Sequence, residues 1–354
     1  MSRIIRLAAM TLAASGLALA GCSDNGDKAA DAGAEQATAT TLNVYSARKE
    51  HLIAPLLEQF TDETGIEVNL LTADAGALLS RLENEGENTP ADLLITVDAG
   101  NLQRAKEAGV LQSVDADTLT QRIPEALRDA DNQWFGLSKR ARVIFAAKDR
   151  VEDGAITSYA DLADPAFKGR ICIRSSDNIY NQSLVASLIA HKGEEWTEQW
   201  AKGLVANMAR KPQGGDRDQI RAVAAGECDI AVANTYYYGA MQNGGDTDRE
   251  AADAVRLVWP NQDGRGAHVN VSGAGMVAAS DKTQAVTQLL EFLTTEQSQE
   301  WYAQVNNEFP VRPGVPASET LAQWGEFKAD DLGLTKLGEL NPDAVRLMDR
   351  AGWQ

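Results

Sequence analysis

Apolar residues along the first third of the chain alternate between two spacings. Short continuous apolar runs predict buried strands, at residues 42–46, 66–73 and 91–100. Apolar residues at helical spacing predict helices between and after these runs, at residues 51–65, 75–86 and 101–109. Because strand and helix alternate, we expect an α/β fold with a parallel sheet and helices on both faces.

The same alternation restarts at residue 142 and continues through the rest of the chain. Strands are predicted at residues 142–148 and 275–280, a strand and a helix within 169–191, a helix and a strand within 218–239, and one long amphipathic helix at 285–305. Ligands of open parallel sheets bind outside the carboxyl ends of the strands. Four loops with polar side chains follow predicted strands and are expected to converge on one cleft: Ser46–Lys49, Val97–Asp98, Ser175–Tyr180 and Asn234–Tyr238.

The N-terminal residues have the features of a secretory signal. Arg3 and Arg6 precede an apolar stretch that is too short to span a bilayer and that ends in Leu-Ala-Gly-Cys. This tetrapeptide resembles a bacterial lipobox, so residues 1–21 are predicted to be a signal peptide and Cys22 to be lipidated. Residues 22–41 are small and polar, and we expect a flexible tether that leaves the protein lipid-anchored in the periplasm or cell envelope.

Composition and the lack of certain motifs argue against several classes of partner and of catalytic activity. With 51 Asp and Glu against 33 Lys and Arg, the net charge of −18 argues against nucleic acid as a partner. The chain has no nucleotide-binding glycine motif, no zinc-protease motif and no serine-nucleophile elbow, so we do not expect an enzyme. Cys172 and Cys228 allow either a disulfide or two buried free thiols.

Three of the seven tyrosines stand side by side in the stretch "NTYYYG", residues 234–239. Tyrosine favours strands, so packing is one explanation. The other is that phenolate oxygens are needed for a metal ion. Adjacent residues of a strand point to opposite faces, so a tyrosine pair can share one ion only where the strand has ended. Gly239 is expected to allow the backbone to turn there.

The blocks around these tyrosines resemble a known family. Stretches such as "RSSDNIYNQSLVASLIA" and "IAVANTYYYGAM", with others across residues 42–315, resemble the periplasmic ferric-ion-binding proteins of iron ABC transporters. The resemblance implies a type II periplasmic-binding-protein fold, in which two lobes joined by hinge strands close over the ligand. It also implies Tyr180, Tyr236 and Tyr237 as ligands of Fe³⁺, the transported ion.

The resemblance further implies a synergistic anion, such as carbonate, beside the metal. Arg140 matches the family's anion-binding arginine, and Ser175 and Asn234 are expected to support the anion or a tyrosine. Many members have a histidine just after the first strand, where this chain has Lys49 and Glu50. A protonated lysine is a poor ligand, so Lys49 is expected to hold the anion. His51 and Asp98 are candidate ligands from the first lobe.

Lobe boundaries and partners also follow from the resemblance. The first lobe is expected at residues 42–140 and the second at 141–266, with a return to the first lobe at 267–318. The C-terminal helices, 319–354, are expected to pack on the second lobe. The protein is expected to be a monomer that delivers iron to the permease and ATPase of an ABC importer.

Two alternatives stay open. The same fold could bind an organic cation, or an anion such as phosphonate, with the tyrosines as an aromatic box. An envelope enzyme is the other alternative, and the lack of a marked nucleophile with a neighbouring base disfavours it.

Overall fold

The computed structural model describes residues 40–354 of the chain. This part contains ten strands and fourteen α-helices. The strands are β1 (Thr41–Ser46), β2 (Glu67–Thr72), β3 (Leu93–Val97), β4 (Leu111–Gln112), β5 (Phe135–Ala147), β6 (Ile171–Cys172), β7 (Ile230–Asn234), β8 (Val255–Val258), β9 (Val269–Val277) and β10 (Phe309–Pro310). The predicted signal peptide, the lipidation site Cys22 and nearly all of the predicted tether lie outside the described residues.

The first seven helices lie in the intervals between these strands. They are α1 (Ala54–Thr64), α2 (Ala75–Glu85), α3 (Ala99–Glu107), α4 (Asp117–Arg122), α5 (Ile179–Lys192), α6 (Glu194–Asn207) and α7 (Asp216–Ala224). The other seven are α8 (Thr235–Gln242), α9 (Asp246–Asp253), α10 (Thr283–Leu293), α11 (Glu296–Val305), α12 (Glu319–Ala322), α13 (Thr335–Glu339) and α14 (Asn341–Arg350). No helix within residues 40–354 combines the length and the apolar character needed to cross a membrane.

The strands are joined in the order β2-β1-β3-β9-β5-β7-β6, and the pairing is mixed rather than wholly parallel. β1 pairs in parallel with both β2 and β3, and β6 pairs in parallel with β7, as the alternating pattern predicts. β9 runs antiparallel to β3 and β5, and β5 runs antiparallel to β7. The expectation of an all-parallel sheet was therefore wrong at the two long central strands.

β5 connects the two halves of the sheet. Its residues up to Ala141 pair with β9, and its residues from Arg142 pair with β7. The strand begins at Phe135, seven residues before the predicted start, because Ser138 and Arg140, polar residues that interrupt its apolar pattern, are themselves buried. The predicted first lobe boundary falls where the pairing partner changes. The division into lobes remains a prediction.

The helix predicted at residues 285–305 is two helices. α10 ends at Leu293 and α11 begins at Glu296. Two threonines cause the break: the hydroxyl of Thr294 donates to the carbonyl of Leu290, and that of Thr295 accepts from the backbone N–H of Ser298. Side chains that bond to nearby backbone in this way compete with continuous helix and cap a new one.

A disulfide joins Cys172 at the end of β6 to Cys228 just before β7, with the two Cα atoms 5.9 Å apart, so the thiols are not free.

The C-terminal helices contact helices from both predicted lobes. α14 packs on α5 and α6. α13 contacts both α5 and α3, and α3 belongs to the predicted first lobe.

Candidate functional site

The neighbouring tyrosines lie in the first turn of a helix. β7 ends at Asn234 and α8 begins at Thr235, so Tyr236 and Tyr237 are helical residues. Successive helical residues are rotated by about 100°, less than the half turn between strand neighbours. The two rings can therefore lie on one side, and their centroids are 4.2 Å apart.

Gly239 does not turn the backbone, and that expectation was wrong. It lies inside α8, where the helix packs closely on the segment after α11. A Cβ atom built on Gly239 would lie 2.8 Å from the side chain of Asn307, closer than real Cβ contacts come. Glycine is therefore required here for a close approach between two segments, both of which reach the tyrosine cavity.

We expect Gly239→Ala to destabilise the protein by about 1–3 kcal/mol, the usual result of overpacking a tight contact. Alanine favours a helix over glycine by about 1 kcal/mol, so the overlap with Asn307 must outweigh that gain. Gly76→Ala in α2 is the matched control, since its new Cβ meets nothing within 4 Å. Urea unfolding of both variants makes the comparison, and equal stabilities would contradict the close approach.

The third tyrosine comes from another helix. Tyr180 lies in the first turn of α5, behind the cap residue Asn178, whose side chain accepts from the Tyr180 backbone N–H. The hydroxyl of Tyr236 donates to that of Tyr180 at 3.2 Å. Three phenols thus meet at the N-terminal ends of two helices. The positive end of a helix dipole stabilises negative charge, so both helices favour the phenolate form.

The three tyrosines line one cavity of about 310 Å³. Lys49 and His51, both exposed, lie on its wall and bring the loop after β1 to the tyrosines. The full lining is Ala47, Arg48, Lys49, His51, Leu52, Val97, Tyr180, Arg217, Tyr236, Tyr237, Ala240, Val305, Asn306, Asn307 and Glu308. Within residues 40–354 no group of three or more His, Cys, Asp or Glu could hold a metal elsewhere.

Burial and crowding keep Tyr236 and Tyr237 protonated when the site is empty. Removal from water raises the pKa of Tyr236 well above its ordinary value, and the proximity of Tyr180 and Tyr237 raises it further. Burial also raises the pKa of Tyr237, again with a contribution from Tyr180. Ionising Tyr236 and Tyr237 together needs a compensating positive charge at the point where they meet.

Guanidinium groups lie over the ring faces of Tyr180 and Tyr237. The Cζ atoms of Arg140 and Arg174 lie 5.5 and 5.8 Å from the ring centroid of Tyr180. Arg217 lies 5.9 Å from the ring centroid of Tyr237. These cations stand close to the phenols without being ligands, so they offset negative charge that develops at the ring oxygens.

A buried ion pair also lines the cavity, and the sequence did not single it out. The guanidinium of Arg48 donates to the carboxylate of Glu308 at 2.8 Å, and the hydroxyl of Ser138 donates to the same oxygen at 2.7 Å. Arg48 lies in the polar loop after β1, one of the four loops that the sequence predicts at the cleft. Glu308 is 260 residues away, and nothing local indicated it.

A second, much smaller space adjoins Tyr180. This inner chamber of about 10 Å³, enough for about one water molecule, is lined by Asp98, Arg140, Arg142, Tyr180, Asn234, His268 and Asn270. The Nε and Nη2 atoms of Arg140 have no hydrogen-bond partner among the described residues. The candidates Asp98, Arg140 and Asn234 thus lie in the chamber, apart from His51 and Lys49 in the cavity.

Asn234 belongs to a buried network that fixes the end of β7 to the middle of β5. Its side-chain oxygen Oδ1 accepts from Arg142 at 3.0 Å, and Arg142 also donates to Asp216 at 2.9 Å. The other oxygen of Asp216 accepts from Arg174. Ser175 lines neither space: its backbone carbonyl accepts from the side chain of Asn181 at 3.0 Å.

Comparison with known proteins gives the site its context. Residues 56–329 match the family model of bacterial extracellular solute-binding proteins. Iron uptake protein A1 of Synechocystis sp. is 48% identical over 314 residues, which cover 88% of this chain and 87% of that protein.

Two solved structures resemble the fold over nearly their whole length. A Trichodesmium protein (IdiA, FutA), in complex with iron and citrate, has a TM-score of 0.86 and 46% identity, covering 89% of this chain and 100% of that one. The ferric iron-binding protein A of Mannheimia haemolytica, in an open conformation, has a TM-score of 0.83 and 42% identity, covering 89% and 99%. The predicted fold class, a type II periplasmic-binding-protein fold, is confirmed.

Proposed function

This chain belongs to the family of bacterial extracellular solute-binding proteins, among the ferric-ion-binding members, and we propose that it binds ferric iron for delivery to an ABC importer. The observation that carries the proposal is the meeting of Tyr180, Tyr236 and Tyr237 at one cavity. Their rings come from two helices, and their hydroxyls have no structural partner other than one another among the described residues.

The chemistry of three phenols suits Fe³⁺. The ion is small and hard, and hard oxygen donors suit it better than thiolate or thioether. Three phenolates would balance its three positive charges inside a partly dry cavity. Because the pKa of Tyr236 and of Tyr237 is raised in the empty protein, a weakly charged ion would not displace their protons. A trivalent cation supplies the largest driving force for that step.

Other groups on the cavity wall are suited to complete the coordination shell. His51 offers an imidazole nitrogen from the loop after β1. Lys49 and Arg217 are exposed on the cavity, and neither forms an ion pair among the described residues. Their charges favour a small anion, carbonate or a carboxylate, at the positions that the tyrosines leave open. The Trichodesmium relative, solved with iron and citrate, supports such an arrangement.

The aromatic-box alternative fits the site less well. A box binds an organic cation through exposed ring faces, where the negative potential of the ring is concentrated. Here the faces of Tyr180 and Tyr237 already have guanidinium groups over them, from Arg140, Arg174 and Arg217. These charges would repel an organic cation. They favour a ligand that engages the hydroxyl oxygens.

The proposal extends to the cell envelope. Lipid on Cys22 would hold the protein at a membrane, within reach of the permease and ATPase of the importer. Fractionation of cells tests the anchor, because Cys22→Ser protein should leave the membrane fraction. Wild-type and Cys22→Ser proteins with the same distribution would count against lipidation.

Visible absorbance tests the iron site directly. We expect the purified domain, residues 42–354, to turn coloured when titrated with ferric citrate in bicarbonate buffer, through phenolate-to-iron charge transfer. The titration should saturate at one iron per protein. If a folded protein gives no band and no thermal shift with iron, the proposal is wrong, and a screen of organic cations and phosphonates is the next measurement.

A further inference from the structure

Asp98 contacts the helix that carries Tyr180. Its side chain is completely buried at the start of α3. One carboxylate oxygen, Oδ1, accepts from the hydroxyl of Ser183 at 2.6 Å, the length of a charge-assisted hydrogen bond. Ser183 follows Tyr180 by three residues, so the two lie on neighbouring positions of the same helix surface. The bond therefore fixes the N-terminal part of α5, just after Tyr180, to the N-terminus of α3.

The backbone of Asp98 is held in an unusual conformation. Its φ angle is +78°, which residues other than glycine rarely adopt. Its backbone N–H donates to the carbonyl of Val271 at 2.9 Å, and its Oδ1 also accepts from the N–H of Gly100 at 3.0 Å. Such a conformation persists only where the surroundings hold it, and it occurs most often at functional sites. The surroundings of Asp98 keep its carboxylate aimed at α5.

The two helix ends are in direct contact at this point. A Cβ atom on Gly100 would lie 3.3 Å from Cδ1 of Ile179 and 3.7 Å from the hydroxyl of Ser183. Ile179 immediately precedes Tyr180 in α5. The N-terminus of α3 thus packs against the residues on both sides of Tyr180, and a shift of either helix end would move the tyrosine.

The second carboxylate oxygen faces a guanidinium group that lies beside the Tyr180 ring. Oδ2 of Asp98 lies 3.9 Å from Nη2 of Arg140, whose Cζ lies 5.5 Å from the Tyr180 ring centroid. Asp98 lines the inner chamber and is not part of the cavity in which the phenol oxygens meet. Oδ1 is therefore bonded to the helix that carries Tyr180, whereas Oδ2 makes no hydrogen bond among the described residues and faces the Arg140 guanidinium beside the Tyr180 ring.

We infer that Asp98 is a positioning residue, which orients Tyr180 for iron binding through its bond to Ser183 and is not itself an iron ligand. The inference rests on the proposed function. Without the bond, the N-terminal part of α5 is no longer held to α3. The Tyr180 hydroxyl then moves away from the Tyr236 hydroxyl, to which it is hydrogen-bonded in this structure. The iron should then be released faster, and its charge-transfer band should shift, since one phenolate is less well aligned.

A double-mutant cycle tests this link. We expect Ser183→Ala to increase the rate of iron transfer to a competing chelator about tenfold, the effect of losing one charge-assisted hydrogen bond. In a Tyr180→Phe background the same substitution should change the rate less than about twofold, because the group that it positions is gone. Ser187→Ala, one turn further along α5 and also buried, should leave the band unchanged.

The outcomes separate this inference from the proposed function. A wild-type protein without a charge-transfer band would overturn the proposed function. A wild-type band with equal Ser183→Ala effects in both backgrounds, or with none, would overturn the inference alone. Asp98→Asn is the second variant: it keeps an acceptor for Ser183, so the band should stay near its wild-type position. If Asp98→Asn loses the band and Ser183→Ala keeps it, Asp98 is a ligand.

Discussion

Replacing Tyr237 with phenylalanine is expected to abolish most of the coloured band and to weaken iron binding by at least about 100-fold. Loss of a group that only supports a metal ligand typically costs 10–100-fold, and Tyr237 would be a ligand itself. Phenylalanine keeps the ring contact with Tyr236, where the centroids are 4.2 Å apart, and removes only the oxygen. The measurement is a ferric titration with absorbance and calorimetric detection.

Tyr238→Phe is the matched control for this substitution. Tyr238 is the next residue in α8, but it is buried away from the cavity, with ring centroids 5.0 Å from Phe145 and 5.8 Å from Trp324. Its substitution should leave both the band and the affinity unchanged. If the two variants behave alike, the iron does not depend on the Tyr237 oxygen, and the assignment of ligands is wrong.

Iron affinity is expected to rise steeply with pH. Burial raises the pKa of Tyr236 and of Tyr237, so at neutral pH the empty site holds its phenolic protons, and loading must release them. Protons and iron compete for the same oxygens, so lowering the pH weakens binding. Each proton released changes the apparent affinity for iron by about tenfold per pH unit. Release of one proton from each of three phenols would therefore change that affinity by up to about a thousandfold per pH unit.

Competition against a chelator of known pH dependence, between pH 5.5 and 7.5, measures this slope. Tyr236→Phe removes one group whose raised pKa makes it lose a proton on loading, and it should lower the slope by about one proton, whereas Tyr238→Phe should not change the slope. Direct pH-stat measurement of the protons released on loading gives an independent count. An affinity that does not depend on pH would show that phenolates are not formed, which would contradict the tyrosine site.

The strands and helices were predictable where their signals are local. The apolar run at residues 42–46 became β1, and the helix expected to close at Gly65 ends there, with Gly65 in the left-handed conformation at φ +72°. Helical spacing and a terminal glycine are properties of a few neighbouring residues, so the sequence displays them directly. The same holds for α2, α3 and α5, whose positions agree with the pattern.

Predictions failed where a residue's role depends on distant partners. β5 was expected to begin at Arg142, because Ser138 and Arg140 read as polar residues outside a strand. Both are buried, since Glu308 and Asp98 approach them from other parts of the chain. The tyrosines were expected where the strand ends, which is correct, but the turn into α8 and the role of Gly239 depend on its packing against Asn307.

The sequence by itself determined the α/β alternation, the family, and the candidates Tyr180, Tyr236 and Tyr237, because spacing and residue type are local. Tertiary structure alone decided which groups meet. The pairing of Arg48 with Glu308, and of Asp98 with Ser183, joins residues 260 and 85 positions apart. Such contacts are set by the order of strands in the sheet. That order follows from the burial of apolar faces across the whole molecule, which no short stretch encodes.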